Sequence, residues 1–296
     1  MPFGGTGVLT FSSLSPLLPL RLPLPLPLPL LKATALELAI LAGHLVLYPT
    51  GIVQERRGAV PAQLTDADTG TPAGTLTRPP VPTDLSHPPV VLLHGFGDNR
   101  SVFVLLRRSL ARNGHHHLES LNYSPLTCDV RTAAELLGRH VEEICARTGH
   151  REVDIVGHSL GGLIGRYYAQ RLGGDRRVRV LVTLGTPHAG TSFAPFAGAH
   201  PLVRQMRPGS SLLRELGEPA PQCRTRFVSF WSDLDQLMVP VETARLDHPD
   251  LTVENVRVSG IGHLALPVHP AIASAIRQAL APRDTPSGTT GSASVA

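Results

Sequence analysis

The 296-residue sequence predicts an α/β fold, a mostly parallel central sheet with helices on both faces, preceded by an apolar N-terminal segment. Three observations support this prediction. Short apolar runs alternate with amphipathic helix-like runs, which is typical of a parallel sheet covered on both faces. A glycine-rich turn joins one of these runs to a helix-like stretch at residues 157–161. Hydrophobic residues make up 42% of the chain and charged residues 17%, as in a globular protein with a substantial core.

We expect one folded domain over residues 89–282, which is long enough to bury a core without a metal ion or a disulfide. Its predicted strands are residues 89–93, 153–156, a run ending near 184, 226–231 and 256–258. Its predicted helices are residues 101–113, 131–148, 160–172, 211–216 and 270–280. The long excursion 191–222 contains several prolines and glycines, and by analogy we expect it to form a lid or a pocket wall.

The residues before this domain have a different composition. Residues 1–60 form an apolar segment, within which 16–31 alternate Leu and Pro too densely for a helix. Residues 33–52 are largely apolar and nearly long enough to cross a bilayer, so we expect a membrane anchor or an uncleaved signal. The alternative is a helix packed on the domain, over an apolar patch or the mouth of the site, because Glu37 and His44 disfavour a lipid-facing span.

Residues 61–88 are rich in Thr, Pro, Asp and Gly and predict a linker, and residues 283–296 predict a disordered tail. The apolar N-terminal segment leads us to expect a membrane-associated or secreted protein. Of the three cysteines, Cys128 and Cys145 flank one predicted helix and lie too far apart to pair with each other. At least one thiol is therefore left without an intramolecular partner.

The strand, turn and helix around Ser159 are typical of a nucleophile elbow. The sequence Gly-His-Ser-Leu-Gly at 157–161 follows the apolar run 153–156 and precedes a helix-like stretch. The serine of such an elbow lies on a strained turn, and a Cβ on either flanking glycine would collide with the adjacent strand or helix. We therefore predict that Ser159 is a nucleophile. The alternative is an ordinary glycine-rich turn between a strand and a helix.

An attacking serine hydroxyl must lose its proton to a neutral imidazole within hydrogen-bond reach. In hydrolases built on such an elbow, the acid and then the histidine follow the serine along the chain. We choose His263, because the loop 259–264 leaves the last predicted strand, and such sites form at the carboxyl ends of strands. His188 follows an earlier strand, and we expect it to order its loop. The other histidines after the serine adjoin prolines, which predicts surface turns for His200, His248 and His269.

The acid should end a strand between the serine and the histidine, where it fixes the imidazole tautomer and stabilises its positive charge. Asp233 and Asp235 follow the predicted strand 226–231. We favour Asp235, because the apolar run that begins two residues later can bury beside the site and lower the local dielectric constant. Asp233 would instead cap the turn by accepting from backbone N–H groups. The weaker candidates, in a later turn, are Asp247 and Asp250.

The tetrahedral intermediate of acyl transfer needs hydrogen-bond donors aimed at its oxyanion. The first predicted donor is the N–H of Leu160, directly after the nucleophile. The second is the N–H of Phe96, in the sequence His-Gly-Phe-Gly that follows the strand 89–93. Glycines on both sides of Phe96 let the loop turn this amide toward a substrate, and the Phe96 side chain would line an acyl pocket.

Five motifs together resemble those of the small bacterial lipases and esterases of the α/β-hydrolase fold, among them the actinobacterial and Bacillus-type secreted enzymes. The motifs are HGFG at 94–97, GHSLGG at 157–162, LGTPHAGT at 184–191, Asp235 with the apolar residues after it, and GHL at 262–264. The resemblance covers about residues 89–282. It implies that Ser159 is the nucleophile, Asp235 the acid and His263 the base, with Phe96 and Leu160 as oxyanion donors. One position departs from the pattern, because the smallest Bacillus-type lipases carry alanine in place of Gly157.

The sequence therefore predicts a serine carboxylic ester hydrolase, a lipase or esterase that acts on ester or lipid substrates through an acyl-enzyme on Ser159. One alternative is an acyltransferase that uses the same triad, and another is a catalytically silent hydrolase-fold protein that binds a lipid or a partner. The net charge is +4, but the basic residues are scattered without a stacking platform, so we expect no nucleic acid partner. We expect no cofactor and no metal, because the adjacent residues of the run 115–117 cannot all face one ion.

Overall fold

The computed structural model describes residues 28–52, 87–123, 129–193, 200–282 and 294–295. The strands in these ranges are β1 (Val90–Leu93), β2 (Leu118–Leu121), β3 (Val153–His158), β4 (Val178–Leu184), β5 (Arg226–Ser232), β6 (Thr252–Val258) and β7 (Ser294–Val295). The α-helices in the same ranges are α1 (Leu28–Ile52), α2 (Val104–Ala111), α3 (Val130–Thr148), α4 (Leu160–Arg171), α5 (Pro201–Gln205), α6 (Ser211–Gly217) and α7 (Pro270–Leu280).

The strands form one sheet in the order β2-β1-β3-β4-β5-β6-β7, and every neighbouring pair is parallel. The chain runs from β1 outward to β2 and then crosses back to β3 on the other side of β1. Such a reversal creates a crevice at the carboxyl ends of the strands, which is where ligands bind in open α/β sheets. In register, Leu93 lies opposite Gly157, and His158 lies opposite Leu184. The loops that follow β1, β3 and β4 therefore meet at one edge of the sheet.

Helices cover both faces of the sheet, because alternate residues of a buried strand point to opposite sides. On β1, Val91 and Leu93 pack in the core cluster that includes α3 and α4. Val90 and Leu92 pack in the second cluster, which includes α2 and α7. This arrangement confirms the predicted fold class, a mostly parallel sheet with helices on both faces.

The ends of α3 show how local sequence sets the helix boundaries. The Asp129 carboxylate accepts a hydrogen bond from the backbone N–H of Thr132 at 2.8 Å and caps the first turn. The helix ends at Gly149, whose φ of 79° lies in the left-handed region that glycine adopts without strain. In between, Leu137, Val141 and Ile144 recur at helical spacing and are fully buried, which ties the helix to the sheet.

The predicted helices and strands all appear, with shifts at their ends. The predicted helix 101–113 begins as a 3₁₀ turn, Arg100–Phe103, before α2. Strand β2 was not predicted, because its residues are only half-buried and lack the apolar run of the other strands. Cys145 and Cys223 are free thiols, and Cys128 lies outside the described residues.

Strand β7 differs from the predicted disordered tail 283–296. Its two residues, Ser294–Val295, pair in parallel with Arg257 and Val258 of β6. The outer edge of β6 presents unpaired backbone N–H and C=O groups, which favours the addition of a further strand. Residues 283–293 and 296 lie outside the described ranges.

Helix α1 begins earlier than expected, because residues 16–31 were predicted to be non-helical and the helix starts at Leu28. Pro29 lies in its first turn, where a backbone N–H has no partner within the helix and its absence costs nothing. Residues 1–27 and the predicted linker up to residue 86 lie outside the described ranges. Among the described residues, no helix is long and apolar enough to cross a bilayer. Ile40 instead packs against the core cluster beside α2 and α7.

Candidate active site

The turn between β3 and α4 has the geometry of a nucleophile elbow. Ser159 has φ 51° and ψ −118°, and among the described residues no other non-glycine has a positive φ. A Cβ on Gly157 would lie 2.6 Å from the backbone nitrogen of Gly162, and one on Gly161 would overlap the carbonyl oxygen of Leu93. Both glycines are therefore required by the close approach of α4 to β1 and β3, as the sequence predicted.

The loops after β5 and β6 bring Asp235 and His263 together. The Nδ1 atom of His263 lies 2.8 Å from Oδ2 of Asp235, and both side chains are almost completely buried. The other carboxylate oxygen of Asp235, Oδ1, accepts hydrogen bonds from the backbone N–H groups of Leu237 and Met238 at 3.0 and 3.2 Å. The carboxylate is thus fixed on one side by its own loop and on the other by the imidazole.

Gly185, at the end of β4, connects this pair to the elbow. The backbone N–H of Ser159 donates to the carbonyl of Leu184 at 2.8 Å. At the next residue, Gly185, a Cβ would lie 2.8 Å from Oδ2 of Asp235 and 3.0 Å from Nδ1 of His263, and its φ is +54°. The elbow of Ser159 and the pair of Asp235 and His263 therefore both lie against the end of β4, at the same edge of the sheet.

Asp233, the competing candidate for the acid, has a different role. Its Oδ1 accepts a hydrogen bond from the backbone N–H of Gly260 at 3.1 Å, and its Oδ2 lies 3.1 Å from Nη2 of Arg257. This carboxylate joins the turn after β5 to the turn after β6. Asp233 thus caps a turn, as expected, but the turn is the one that follows the neighbouring strand, β6.

Three carboxylates determine the proton affinity of His263. Burial lowers the pKa of this imidazole, but the charge and hydrogen bond of Asp235 and the charges of Glu37 and Asp98 raise it more. The net effect is a pKa above the ordinary value of a histidine. The imidazole of His158 lies beside the His263 ring, with centroids 4.7 Å apart. Its Nε2–H donates to the His263 carbonyl oxygen at 3.2 Å.

The loop after β1 lies directly against Ser159, the candidate nucleophile. A Cβ on Gly95 would lie 3.3 Å from the Cβ of Ser159, so the loop passes over the elbow at van der Waals distance. The hydroxyl of Tyr123 donates to the carbonyl of His94, and the two rings stack with centroids 4.2 Å apart. These contacts fix the start of the loop that carries Phe96.

The two predicted oxyanion donors flank the elbow. Leu160 begins α4 and its side chain is fully buried in the core. Phe96 is half-buried, and its ring meets the ring of His200 edge to face with centroids 5.3 Å apart. This contact places the start of α5, which belongs to the excursion 191–222, beside the loop that carries Phe96. Residues 194–199 of that excursion lie outside the described ranges.

The other histidines are held by structural hydrogen bonds. His188 is buried and lies 3.0 Å from Oγ1 of Thr183 and 3.4 Å from Nη1 of Arg166, which agrees with its expected role in ordering a loop. His269 caps the first turn of α7. His248 was predicted in a surface turn but is buried. The backbone N–H of Asp250 donates to its Nδ1 at 3.2 Å, so its Nε2 carries the proton and donates to the carbonyl of Glu218 at 3.0 Å.

Helix α1 supplies a site residue that the sequence reading missed. The carboxylate of Glu37 accepts hydrogen bonds from the backbone N–H groups of Leu264 and Ala265 at 2.9 and 3.0 Å. Helix α1 therefore lies over the loop of the candidate base, as in the alternative of a helix that covers the mouth of the site. The only local signal was Gly262, since a glycine beside a candidate base indicates that something approaches closely.

Comparison with known proteins supports the same fold. The family model for the alpha/beta hydrolase fold matches residues 88–207. A triacylglycerol lipase of Pseudarthrobacter phenanthrenivorans is 42% identical over 62 residues, which is 21% of this chain and 19% of that protein. A triacylglycerol lipase of Burkholderia plantarii is also 42% identical over 62 residues, 21% of this chain and 17% of that protein. The chain thus matches about a fifth of the length of these curated relatives.

Solved structures of other proteins support the same fold. The mature form of the Bacillus licheniformis lipase BlEst2 superposes with a TM-score of 0.56 at 17% identity, over 68% of this chain and 96% of that one. The product of the gene lin2722 from Listeria innocua superposes with a TM-score of 0.52 at 18% identity, over 67% and 96% of the two chains. The sheet, the elbow and these matches define a protein of the α/β-hydrolase fold. Within that class, the chain is similar to bacterial lipases and esterases.

Proposed function

We propose that the protein is a serine carboxylic ester hydrolase of the lipase or esterase type, acting through an acyl-enzyme on Ser159. The observation that carries this proposal is the 2.8 Å contact between His263 and Asp235 beside a strained serine elbow. The order of the three residues along the chain is that of hydrolases with this elbow. The similarity to triacylglycerol lipases supports lipid esters as the substrate class.

In the proposed reaction, Asp235 holds Nδ1 of His263, which leaves Nε2 to accept the proton of the Ser159 hydroxyl as its oxygen attacks the ester carbonyl. The backbone N–H groups of Phe96 and Leu160 stabilise the oxyanion. The intermediate collapses when His263 returns the proton to the leaving alcohol. A water molecule, deprotonated by His263, then attacks the carbonyl of the acyl-enzyme. The bond to Ser159 breaks, His263 returns the proton to the serine oxygen, and the acid is released.

The test compares the wild type with Ser159→Ala on p-nitrophenyl esters from acetate to palmitate, together with mass spectrometry after a fluorophosphonate probe. We expect the mutant to lose hydrolysis and labelling together, and the chain-length optimum to separate an esterase from a lipase. Labelling of the wild type without turnover favours an acyltransferase that lacks its acceptor. Folded wild type that neither hydrolyses nor labels contradicts the proposal and favours a silent binding protein.

We further propose that α1 associates with lipid surfaces without spanning them, which fits a membrane-associated or secreted location. Its face away from the domain exposes several large apolar side chains, of which Leu38 is 62% and Val46 77% exposed. Exposed apolar side chains beside a lipid-ester site favour contact with an aggregated substrate.

The corresponding test is co-sedimentation with phosphatidylcholine vesicles. We expect the double variant Leu38→Glu, Val46→Glu to remain in the supernatant while the wild type sediments. Leu172→Glu is the matched control, because Leu172 is an exposed leucine outside α1, just after α4. Equal sedimentation of the wild type and the double variant argues against the lipid-surface role.

A further inference from the structure

The loop that carries the candidate base is bound by a helix from the far end of the sequence. Leu264 and Ala265, which directly follow His263, donate their backbone N–H groups to the two carboxylate oxygens of Glu37 at 2.9 and 3.0 Å. A carboxylate that accepts two backbone N–H groups makes charge-assisted hydrogen bonds, which are stronger than those between neutral groups. Helix α1 thus fixes the loop that follows the candidate base.

Gly262, on the other side of His263, makes this approach possible. A Cβ at this position would lie 2.5 Å from both Cδ and Oε1 of Glu37, so any side chain would displace the carboxylate. The φ of Gly262 is not in the left-handed region, and the backbone itself therefore does not require glycine here. The missing side chain is explained by the position of Glu37.

Further contacts of α1 reach other loops of the same site. The hydroxyl oxygen of Thr34 accepts a hydrogen bond from the side-chain amide of Gln236, the residue after Asp235, at 3.1 Å. The carbonyl of Tyr48 accepts one from the side-chain amide of Asn99, in the loop after β1, at 2.8 Å. The helix therefore contacts the loops of the base, the acid and the oxyanion donor, and Glu37 is its contact nearest to the base.

We propose that Glu37 is a positioning residue of the active site, which holds the loop of His263 through the N–H groups of Leu264 and Ala265 and places a negative charge beside the imidazole. The inference rests on the proposed hydrolase function. Besides Glu37, the titratable groups that face His263 are the carboxylates of Asp235 and Asp98 and the imidazole of His158. Glu37 adds to the two carboxylates in stabilising the imidazolium that forms as Ser159 loses its proton.

The first test is the pH dependence of kcat/KM for Glu37→Gln. Glutamine has the same shape and keeps one acceptor oxygen, but it removes the charge. Because the charge of Glu37 raises the pKa of His263, we expect the acid limb of the profile to move to lower pH in this variant. Glu135→Gln, on the exposed face of α3, is the matched control and should leave the limb unchanged. A purely structural role for Glu37 would lower stability without moving the limb.

The second test is a double-mutant cycle between positions 37 and 262. In the wild-type background, Gly262→Ala should lower kcat/KM by about tenfold or more, because it displaces the carboxylate and disturbs the loop. In the Glu37→Ala background, the new methyl group meets no carboxylate, so the same substitution should cost much less. Equal losses in both backgrounds would show that Gly262 matters for a reason other than Glu37 and would overturn the inference.

The results separate this inference from the proposed function. Wild type that neither hydrolyses esters nor reacts with a fluorophosphonate overturns both. Active wild type whose acid limb is unchanged in Glu37→Gln overturns the role of Glu37 alone. If Glu37→Gln does not fold, the test is the pH profile of Gly262→Ala, in which the Glu37 carboxylate is displaced. Its acid limb should also move to lower pH, and an unchanged limb would overturn the role of Glu37.

Discussion

Two buried histidines lie in this domain in opposite electrostatic surroundings. His263 has 3% and His188 6% of its surface exposed, and both follow strands of the same sheet. His263 faces the carboxylate of Asp235, and its pKa is raised, whereas burial and the guanidinium of Arg166 hold the pKa of His188 well below its ordinary value. Burial alone therefore does not prepare a histidine to act as a base. The neighbouring charge determines whether it can take up a proton.

Among the described residues, Arg166, whose guanidinium lies beside His188, binds uncharged groups and not a carboxylate. Arg166 is buried, and burial lowers its pKa to about 9. Its hydrogen bonds reach uncharged acceptors, namely Nδ1 and the carbonyl oxygen of His188, the carbonyl oxygen of Leu216 and the side-chain oxygen of Gln170. This cluster ties α4 to the loop after β4 and to the end of α6. It therefore binds α4, the helix that follows the elbow, whereas the pair at His263 lies against Gly185 at the end of β4.

The largest expected contrast is between substitutions of the two histidines. We expect His263→Ala to lower kcat by about 10⁴- to 10⁶-fold, because His263 is the proposed acceptor of the serine proton. His188→Gln, which replaces one neutral polar side chain by another, should stay within about tenfold of the wild type. Ester hydrolysis per folded molecule is the measurement. Comparable losses of kcat in both variants would contradict the assignment of His263, and not His188, as the base.

The carboxylate partner gives the next contrast. Asp235→Asn should lower kcat by about 10⁴-fold, because the amide does not stabilise the imidazolium and favours the wrong tautomer. Asp233→Asn is the control, since this side chain bonds Gly260 and Arg257 and not the imidazole. If the Asp233 variant loses more activity than the Asp235 variant, the acid has been assigned to the wrong residue.

The pH profile tests the direction of the pKa shift at His263. The base must be neutral in the free enzyme, so kcat/KM should fall tenfold for each pH unit below the pKa and level off above it. Because that pKa is raised, the midpoint of the limb should lie above about 6.5. A midpoint below that value, or a flat profile from pH 5 to 8, is incompatible with the pair of His263 and Asp235.

The smallest expected effect on catalysis comes from the cluster around Arg166. Arg166→Leu removes the donor to the carbonyls of His188 and Leu216, and we expect a loss of about 1–3 kcal/mol in the free energy of unfolding. Activity per folded molecule should change little, because Arg166 does not contact the pair at His263. Denaturant unfolding followed by active-site titration with a fluorophosphonate measures both. A large loss of kcat with unchanged stability would give Arg166 a catalytic role.

Most of the site could be predicted from the sequence because its signals are local. The elbow needs glycines within two residues of Ser159, and Asp235 and His263 each follow the apolar run of a strand. The choice of Asp235 over Asp233 rested on the apolar residues after it, and Asp235 is the one of the two whose carboxylate lies 2.8 Å from His263. A parallel sheet then brings the loops together whatever their separation along the chain.

The residues that sequence reasoning missed depend on contacts between distant segments. Glu37 bonds to Leu264 and Ala265 across more than 200 residues, and nothing near Glu37 in the sequence indicates that contact. Gly185 lies within the motif at residues 184–191, but its closeness to Asp235 and His263 results from the fold and has no local sequence signal. Strand β2 lacks the apolar pattern of a buried strand because it pairs on one side only, with β1.

The position of α1 has a consequence for chain integrity. The chain between Ile52 and His87 links this helix covalently to the domain that it covers, so the contact of Glu37 with the base loop forms within one molecule. A proteolytic cut in that stretch would remove the covalent tether, and the two pieces would then associate as separate molecules. Their association would depend on concentration, and dilution of the nicked protein would release the helix from the site.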